Sequence, residues 1–423
     1  MEDSAKFLRL ALIAATVLTI AISCGRSVRR PACVFEAHPR PVLETVGLAS
    51  SWDPQLAVDT AGTLYLYAVY DQNSKSRLGL VMSEDGGDTF GPSVLPISGG
   101  DASIVSHGEQ SPKVVMTRAE IYALWQEMPE EGPGRIISAR SFSWGKSFDK
   151  PVQVSDKDAR GYRGFASIGV GLDGHVYVVW LDERDNSNPD QDTSSVYLAK
   201  SIDRGATFGR NVRVAQEACP CCRPSLAFGL HGEVFVAWRR VFPGEIRDIV
   251  VSISRDDGQT FAEPVRVHDD GWKLNGCPDS GPALAETNSD LYIAWMTEGT
   301  DARPRIQLAR SVDGARSFSE PRDISRDILD PNHPALATGS DGTVWLVFQG
   351  RAPSANGNWN KTQAYVVQIA SDGSSSLAGP IPGSDSSISY PTLALGSGER
   401  MFLAWTQPEG NQQTVTLSRG RTN

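Results

Sequence analysis

The longest apolar run in this 423-residue chain, Leu10–Ile22, is too short for an ordinary membrane span. Positive charge is scarce: 40 Lys and Arg face 50 Asp and Glu, leaving a net charge of −10. That deficit argues against general binding of nucleic acid or an anionic membrane, both of which need a basic face. There are six cysteines, and no standard zinc-binding spacing among them. The acidic stretch Asp182–Asp192 is rich enough in carboxylates to hold calcium. It lacks the Gly and the terminal Glu of an EF-hand loop, so it reads first as a solvated loop.

At the N-terminus, Lys6 and Arg9 precede the apolar run, the pattern of a secretory signal over 1–23. It ends Ala21-Ile22-Ser23-Cys24-Gly25, which resembles a bacterial lipobox with Ala21 where Leu is usual, so lipidation is expected at Cys24. Residues 24–40, rich in Arg and Pro, read as a tether carrying an unpaired Cys33, and 41–423 as the folded unit. The expectation is an extracytoplasmic, membrane-anchored lipoprotein of the periplasm, outer membrane or cell surface, touching the membrane only through its lipid.

Seven apolar strands ending in a large aromatic recur at intervals of 53 to 58 residues: Leu64–Tyr70, Ile121–Trp125, Val176–Trp180, Val234–Trp238, Leu291–Trp295, Val344–Phe348 and Met401–Trp405. Each follows a small apolar strand such as Pro54–Val58, Pro224–Phe228 or Pro391–Ala394. A unit this small cannot bury its own faces and must stack on its neighbours, which predicts an all-β, seven-bladed β-propeller. The seventh unit reaches its third strand at Val415–Ser418 and stops. Pro41–Val46 is expected to supply the missing strand and close the ring. The strand Trp residues 125, 180, 238, 295 and 405 read as packing between blades.

A second repeat lies out of phase with the first. Ser83-x-Asp85-x-Gly87-x-Thr89-Phe90 recurs intact at Ser201–Phe208 and Ser254–Phe261, with degenerate copies at Ser141–Phe148, Ser311–Phe318 and Ala370–Leu377. Its Asp and hydroxyl side chains bind turn amides, and its Gly accepts positive φ. The pattern resembles the Asp-box, or BNR repeat, of the sialidase-like propellers, over residues 41–423. Sialidases of known fold have six blades, which is the alternative count. The resemblance places the boxes opposite the active face and implies little about chemistry.

On the other face, the loops gather carboxylates, arginines and aromatics. Ser389-Tyr390-Pro391-Thr392-Leu393 resembles the sialidase segment that carries the Tyr nucleophile, a type that suits an anionic sugar because a carboxylate would repel it. The resemblance implies Tyr390 as nucleophile, Glu298 or Glu127 as its partner, and Asp182 or Asp279 as acid/base. Arg163, Arg223, Arg239 and Arg240 are the candidates for holding an anionic group, with His333 on the same rim. Trp52, Trp272 and Trp359 are placed to stack on sugar rings. The family's first arginine is absent: its place reads Ser51-Trp52-Asp53-Pro54, and an Asp there would repel sialic acid.

Cys219-Pro-Cys221-Cys222-Arg223 and Asn275-Gly-Cys277-Pro lie on adjacent loops of that face. Two readings stand: a disulfide from Cys277 to one of the triplet, or a Cu or Zn site of clustered thiolates. Two functions follow. One is a glycan- or polar-ligand-binding propeller, with exo-α-sialidase or related glycoside hydrolase activity open. The other is a non-catalytic scaffold or soft-metal protein built on Cys219, Cys221, Cys222 and Cys277. Nothing in the sequence names a protein partner.

Overall fold

The computed structural model describes residues 33–42, 50–91, 95–98, 102–118, 120–129, 132–157, 160–186, 193–287, 290–353, 361–371 and 373–422. The signal segment expected over 1–23, Cys24, Trp359 and positions 187–192 of the acidic loop lie outside them.

The chain builds successive antiparallel sheets, each running outward from a short inner strand. The first orders Ser51–Val58, Leu64–Gln72, Lys75–Ser83 and Leu95–Pro96. Two later four-stranded sheets repeat the order, Ala283–Thr287 to Arg322–Asp323 and Leu329–Thr338 to Ser375–Ala378. In the second sheet, Lys113–Met116 and Ser103–Val105 both pair with Ile121–Met128. The units Arg163–Val170 to Val212–Ala218 and Ser225–Phe228 to Val265–Arg266 are joined through one residue pair, Ala218 with Arg240.

The aromatic strands are buried along nearly their whole length, because both of their faces are covered. Each hydrophobic cluster draws on two successive sheets: Tyr67 with Trp125, Leu124 with Trp180, Phe235 with Trp295. The last cluster joins the end of the chain to the beginning, packing Leu64, Leu66 and Val81 against Phe402, Val415 and Leu417. Ser51 Oγ accepts from Val415 N at 3.2 Å and Thr406 Oγ1 from Asp53 N at 2.9 Å across the same seam.

The closing strand is also there. Pro41 pairs with Thr416 and Val42 N donates to Val415 O at 3.0 Å, while residues 43–46 of the expected strand lie outside the described residues. A further strand falls where the tether was expected: Cys33–Phe35 pairs with Gly420–Thr422, and Cys33 is buried there. A three-residue edge strand carries too little alternation to announce itself in sequence.

The boxes form as their chemistry dictates. Asp256 Oδ1 accepts from Thr260 N at 2.9 Å, Ser254 Oγ from Gly258 N at 2.9 Å, and Phe261 packs on the neighbouring core. Because Val58, Leu64 and Ser83 share one end of their sheet and Trp52, Val69 and Leu78 lie toward the other, the boxes sit opposite the heads of the inner strands.

Candidate functional site

Four of the inner strands begin with a kink. Register shifts interrupt the pairing between Trp52 and Gln55, Gly164 and Ser167, Asn332 and Ala335, and Ser389 and Thr392. Left-handed backbone marks the same level: φ is 51° at Asp53, 59° at Gly108, 54° at Phe165, 47° at Asp279, 53° at His333 and 50° at Tyr390. Each non-glycine residue there costs about 1–2 kcal/mol. Bulges of this kind re-aim side chains, and strain kept at one level of a fold points to a site.

The kinks converge Asp53, Glu109, Ser111, Lys113, Arg223, His333 and Tyr390 on one cavity of about 80 Å³, room for a few water molecules or the tip of a larger ligand. Glu109 is buried; its Oε1 receives His333 Nδ1 at 3.0 Å, its Oε2 lies 3.6 Å from Arg223 Nη2, and its backbone oxygen accepts from Arg223 Nη1 at 2.9 Å. The His333 and Tyr390 rings meet with centroids 4.5 Å apart. Asp279 joins from the side: a β-carbon on Gly108 would come within 2.6 Å of Asp279 Oδ2 and 2.9 Å of the Tyr390 hydroxyl. Glycine at 108 thus lets a carboxyl and a phenol close over the same backbone. Two larger clefts, one lined by Tyr292, Arg310 and Phe318 and one by Met128, Lys157 and Tyr162, gather no comparable set of titratable groups.

The mouth separates its charges. Burial by itself would raise Glu109, but Arg223, the His333 hydrogen bond and Lys113 outweigh it and hold the carboxyl at about 2. Asp279 moves the other way, raised first by burial and then by the charge of Glu109. Burial also raises Asp53, although Ser106 Oγ donates to its Oδ2 at 2.5 Å. Lys113, whose ammonium donates to Ser111 Oγ at 2.9 Å, is pushed down to about 7 by burial and by Arg223. Burial, then Asp279 and Glu109, lift the Tyr390 phenol above its usual range.

Of the residues expected here from sequence, Tyr390, His333, Asp279 and Arg223 meet. The other arginines are placed elsewhere. Arg163 is buried 3.7 Å from Asp182 and donates to the carbonyls of Gly134 and Arg160. Arg239 is buried under Trp272 and donates to the carbonyls of Ser280, Arg247 and Met296. Arg240 pairs with Glu217 at 2.6 Å. A carboxylate-binding arginine triad is therefore not assembled from this set.

The expected acids divide the same way. Glu127 Oε1 takes the Trp125 indole N–H at 3.0 Å, and its Oε2 takes Arg135 at 3.0 Å. Asp182 Oδ2 takes the Trp180 indole at 2.8 Å and Arg184 at 2.6 Å. Gln407 does the same for Trp405 at 3.0 Å, so at Trp125, Trp180 and Trp405 the polar residue two positions on caps the indole. Glu298 sits on a turn, its carbonyl accepting from Arg303 N at 3.1 Å, and does not line the cavity that holds Tyr390. Trp272 is buried in a core cluster and offers no free face for stacking, while Trp52 is partly buried against another. In the acidic loop, Asp185 holds Ser195 and Tyr197, and Asp182 is spent on Trp180 and Arg184; no calcium cradle forms among the described residues.

Sequence reasoning passed over Glu109, Lys113 and Asp53 as working groups of the site. Asp53, like His333 and Tyr390, directly precedes an inner-strand Pro, and that shared position was the available signal.

The cysteines do meet. Cys221 and Cys277 form a disulfide that ties the loop presenting Arg223 to the loop presenting Asp279. Cys219 and Cys222 lie free and buried beside it. The hydrogen bond from Cys222, with Arg239 and Arg247, outweighs burial and holds the Cys219 thiol down at about 6, while burial pushes Cys222 up.

No family model matches the chain, and no curated protein matches it. Solved structures do. A protein of unknown function from Dyadobacter fermentans DSM 18053 is 13% identical, covers 93% of this chain and 100% of its own, and superposes with a TM-score of 0.53. An ulvan lyase bound to a glucuronate and sulfated rhamnose oligosaccharide is 12% identical over 74% of this chain and 80% of its own, with a TM-score of 0.51. The NanB sialidase from Streptococcus pneumoniae is 9% identical over 85% and 83%, with a TM-score of 0.48. At these identities the likeness is one of fold: the chain is an all-β protein of several four-stranded antiparallel sheets that shares its fold with the first two of these structures.

Proposed function

We propose that the chain is a seven-bladed propeller that cleaves glycosidic bonds at its axial mouth. The observation that carries this is the opposite displacement of two carboxyl groups at one strained level of the fold: Glu109 is held ionised, and Asp279 is pushed toward keeping its proton. Environments that drive two acids apart divide the labour of glycoside hydrolysis. Asp279, on the same side of Gly108 as the Tyr390 hydroxyl, donates its proton to the leaving sugar oxygen. Glu109 stabilises the positive charge developing on the ring. Water then adds to the sugar carbon, and its proton returns to Asp279.

The cavity is too small for a whole ring, so the sugar enters tip first, with Lys113 and Arg223 supplying positive charge to an acidic substituent. An acidic glycan also fits with the oligosaccharide bound by the ulvan lyase of like fold. With a single arginine at the mouth, sialic acid is not the preferred sugar. The composition of residues 1–25 supports export with a lipid on Cys24.

The test is release of new reducing ends from a panel of neutral, uronate-bearing and sulfated polysaccharides. The reading expects turnover that falls by about 100-fold or more in Asp279→Asn. Turnover unchanged in Asp279→Asn, or products bearing a new carbon–carbon double bond at 235 nm, would refute hydrolysis by this pair.

A further inference from the structure

The segment Cys219–Cys222 turns tightly between the strands Val212–Ala218 and Ser225–Phe228. Cys219 N donates to Arg239 O at 2.8 Å and Cys222 N to Cys219 O at 3.5 Å, which folds three side chains onto one side of the turn. The sulfurs form a closed triangle: 3.9 Å from Cys219 to Cys221, 4.0 Å from Cys221 to Cys222, and 3.5 Å from Cys222 to Cys219. The centre of a triangle with those sides lies about 2.2 Å from every corner, close to the roughly 2.3 Å of a metal–thiolate bond. Three sulfurs are thus equidistant from one point at bonding range.

The surroundings suit thiolates. Cys219 and Cys222 are buried, and Arg247 Nη1 donates to Cys219 Sγ at 3.1 Å. Arg239 and Arg247 are both fully buried guanidinium groups next to the cluster, and the Ser280 backbone N–H faces Cys222. Such outer donors orient and tune a thiolate set. The grouping holds sulfur alone, with no carboxylate or imidazole, which selects against hard cations.

We propose that Cys219, Cys221 and Cys222 form a trigonal thiolate site for one soft monovalent cation, Cu(I). Three thiolates around a monovalent ion carry a net charge of −2, which Arg239 and Arg247 offset in part, Arg247 being shared with Glu245. Zinc prefers a closed tetrahedron and would need a fourth ligand. The Cys221–Cys277 disulfide is the oxidised, metal-free form. Cys277 is exposed, so an external dithiol can reach the bond. Two electrons from that dithiol split the S–S bond, Cys221 and Cys277 become thiols, and the dithiol leaves as its own disulfide. Cu(I) then binds with loss of the three thiol protons.

The test uses the full chain, reduced anaerobically on an immobilised dithiol and titrated with Cu(I) against a chromophoric chelator. The expected result is one retained Cu(I) per chain, with an X-ray absorption spectrum showing three sulfur neighbours and no nitrogen or oxygen. Cys277→Ser leaves Cys221 unpaired and should take up Cu(I) with no reduction step, a gain that a misfolded variant would not show. Cys222→Ser, checked by circular dichroism, should lose the bound ion. The proposal is overturned if reduced protein and Cys277→Ser both fail to hold Cu(I), if Cys222→Ser binds as wild type does, or if Zn(II) displaces Cu(I) into a four-sulfur site.

Discussion

Replacing Gly108 with Ala separates the cost of a strained backbone from the cost of a disturbed site. Gly108 has φ of 59°, and an added β-carbon would meet Asp279 Oδ2 at 2.6 Å and the Tyr390 hydroxyl at 2.9 Å. Gly174, with φ of 80°, provides the control, since a β-carbon there meets nothing within 4 Å. Left-handed alanine costs both variants about 1–2 kcal/mol. With unfolding entropy near 2.1 cal/mol/K per residue, a unit of this size loses roughly 1–3 °C of Tm for that cost. Both atoms met by the new carbon at 108 are ends of side chains, so they swing aside by about half an ångström and add little to the stability loss. Displacing reacting groups on that scale costs about 10–100-fold in rate. Melting curves and reducing-end turnover on the two variants side by side make the comparison. Equal turnover in Gly108→Ala and Gly174→Ala would refute the claim that Asp279 and Tyr390, as Gly108 seats them, do chemistry.

Lys113, at about 7, is a cation that disappears as pH rises through neutrality. Affinity for an acidic glycan should be full below pH 7 and fall above it, and Lys113→Arg should flatten the profile in a calorimetric titration between pH 5.5 and 8.5. Asp182→Ala should cost about 3–5 kcal/mol, because it strands the buried Arg163 charge and the Trp180 indole together. Urea midpoints measure this, and a variant of unchanged stability but lost turnover would return Asp182 to the catalytic set. The box carboxylates Asp203, Asp256 and Asp313 are held at about 2 in the fold. These are depressed values, so the stability they contribute is present above the unfolded value near 4 and is lost as pH falls toward 2. Asp256→Asn should shallow the fall of the urea midpoint between pH 5 and 3, by a small amount because these groups are exposed.

The fold was legible because its instructions are local. The Ser-x-Asp-x-Gly turns satisfy their own amides, and the aromatic strands repeat within each unit. Half of the mouth was legible by another route: Tyr390 lies in a segment that resembles the sialidase one, and His333 and Arg223 lie in the loops that enter inner strands. Arg163 and Arg239 misled because a loop arginine that faces carbonyls looks the same in sequence as one that faces a ligand; burial decided between them. Glu127 and Asp182 misled because an acid two residues after Trp125 or Trp180 lies within reach of that indole N–H and is taken up by it. Lys113 could not be found locally, since its displaced ionisation comes first from burial and then from Arg223 on a distant segment.

A crystal structure of Asp279→Asn soaked with the oligosaccharide that wild type cleaves fastest is the most direct trial of the central claim. The account expects a sugar oxygen within hydrogen-bond reach of both residue 279 and the Tyr390 hydroxyl, with the acidic substituent toward Lys113. A sugar seated instead in the outer cleft of Tyr292, Arg310 and Phe318, with the axial mouth holding none, would contradict it.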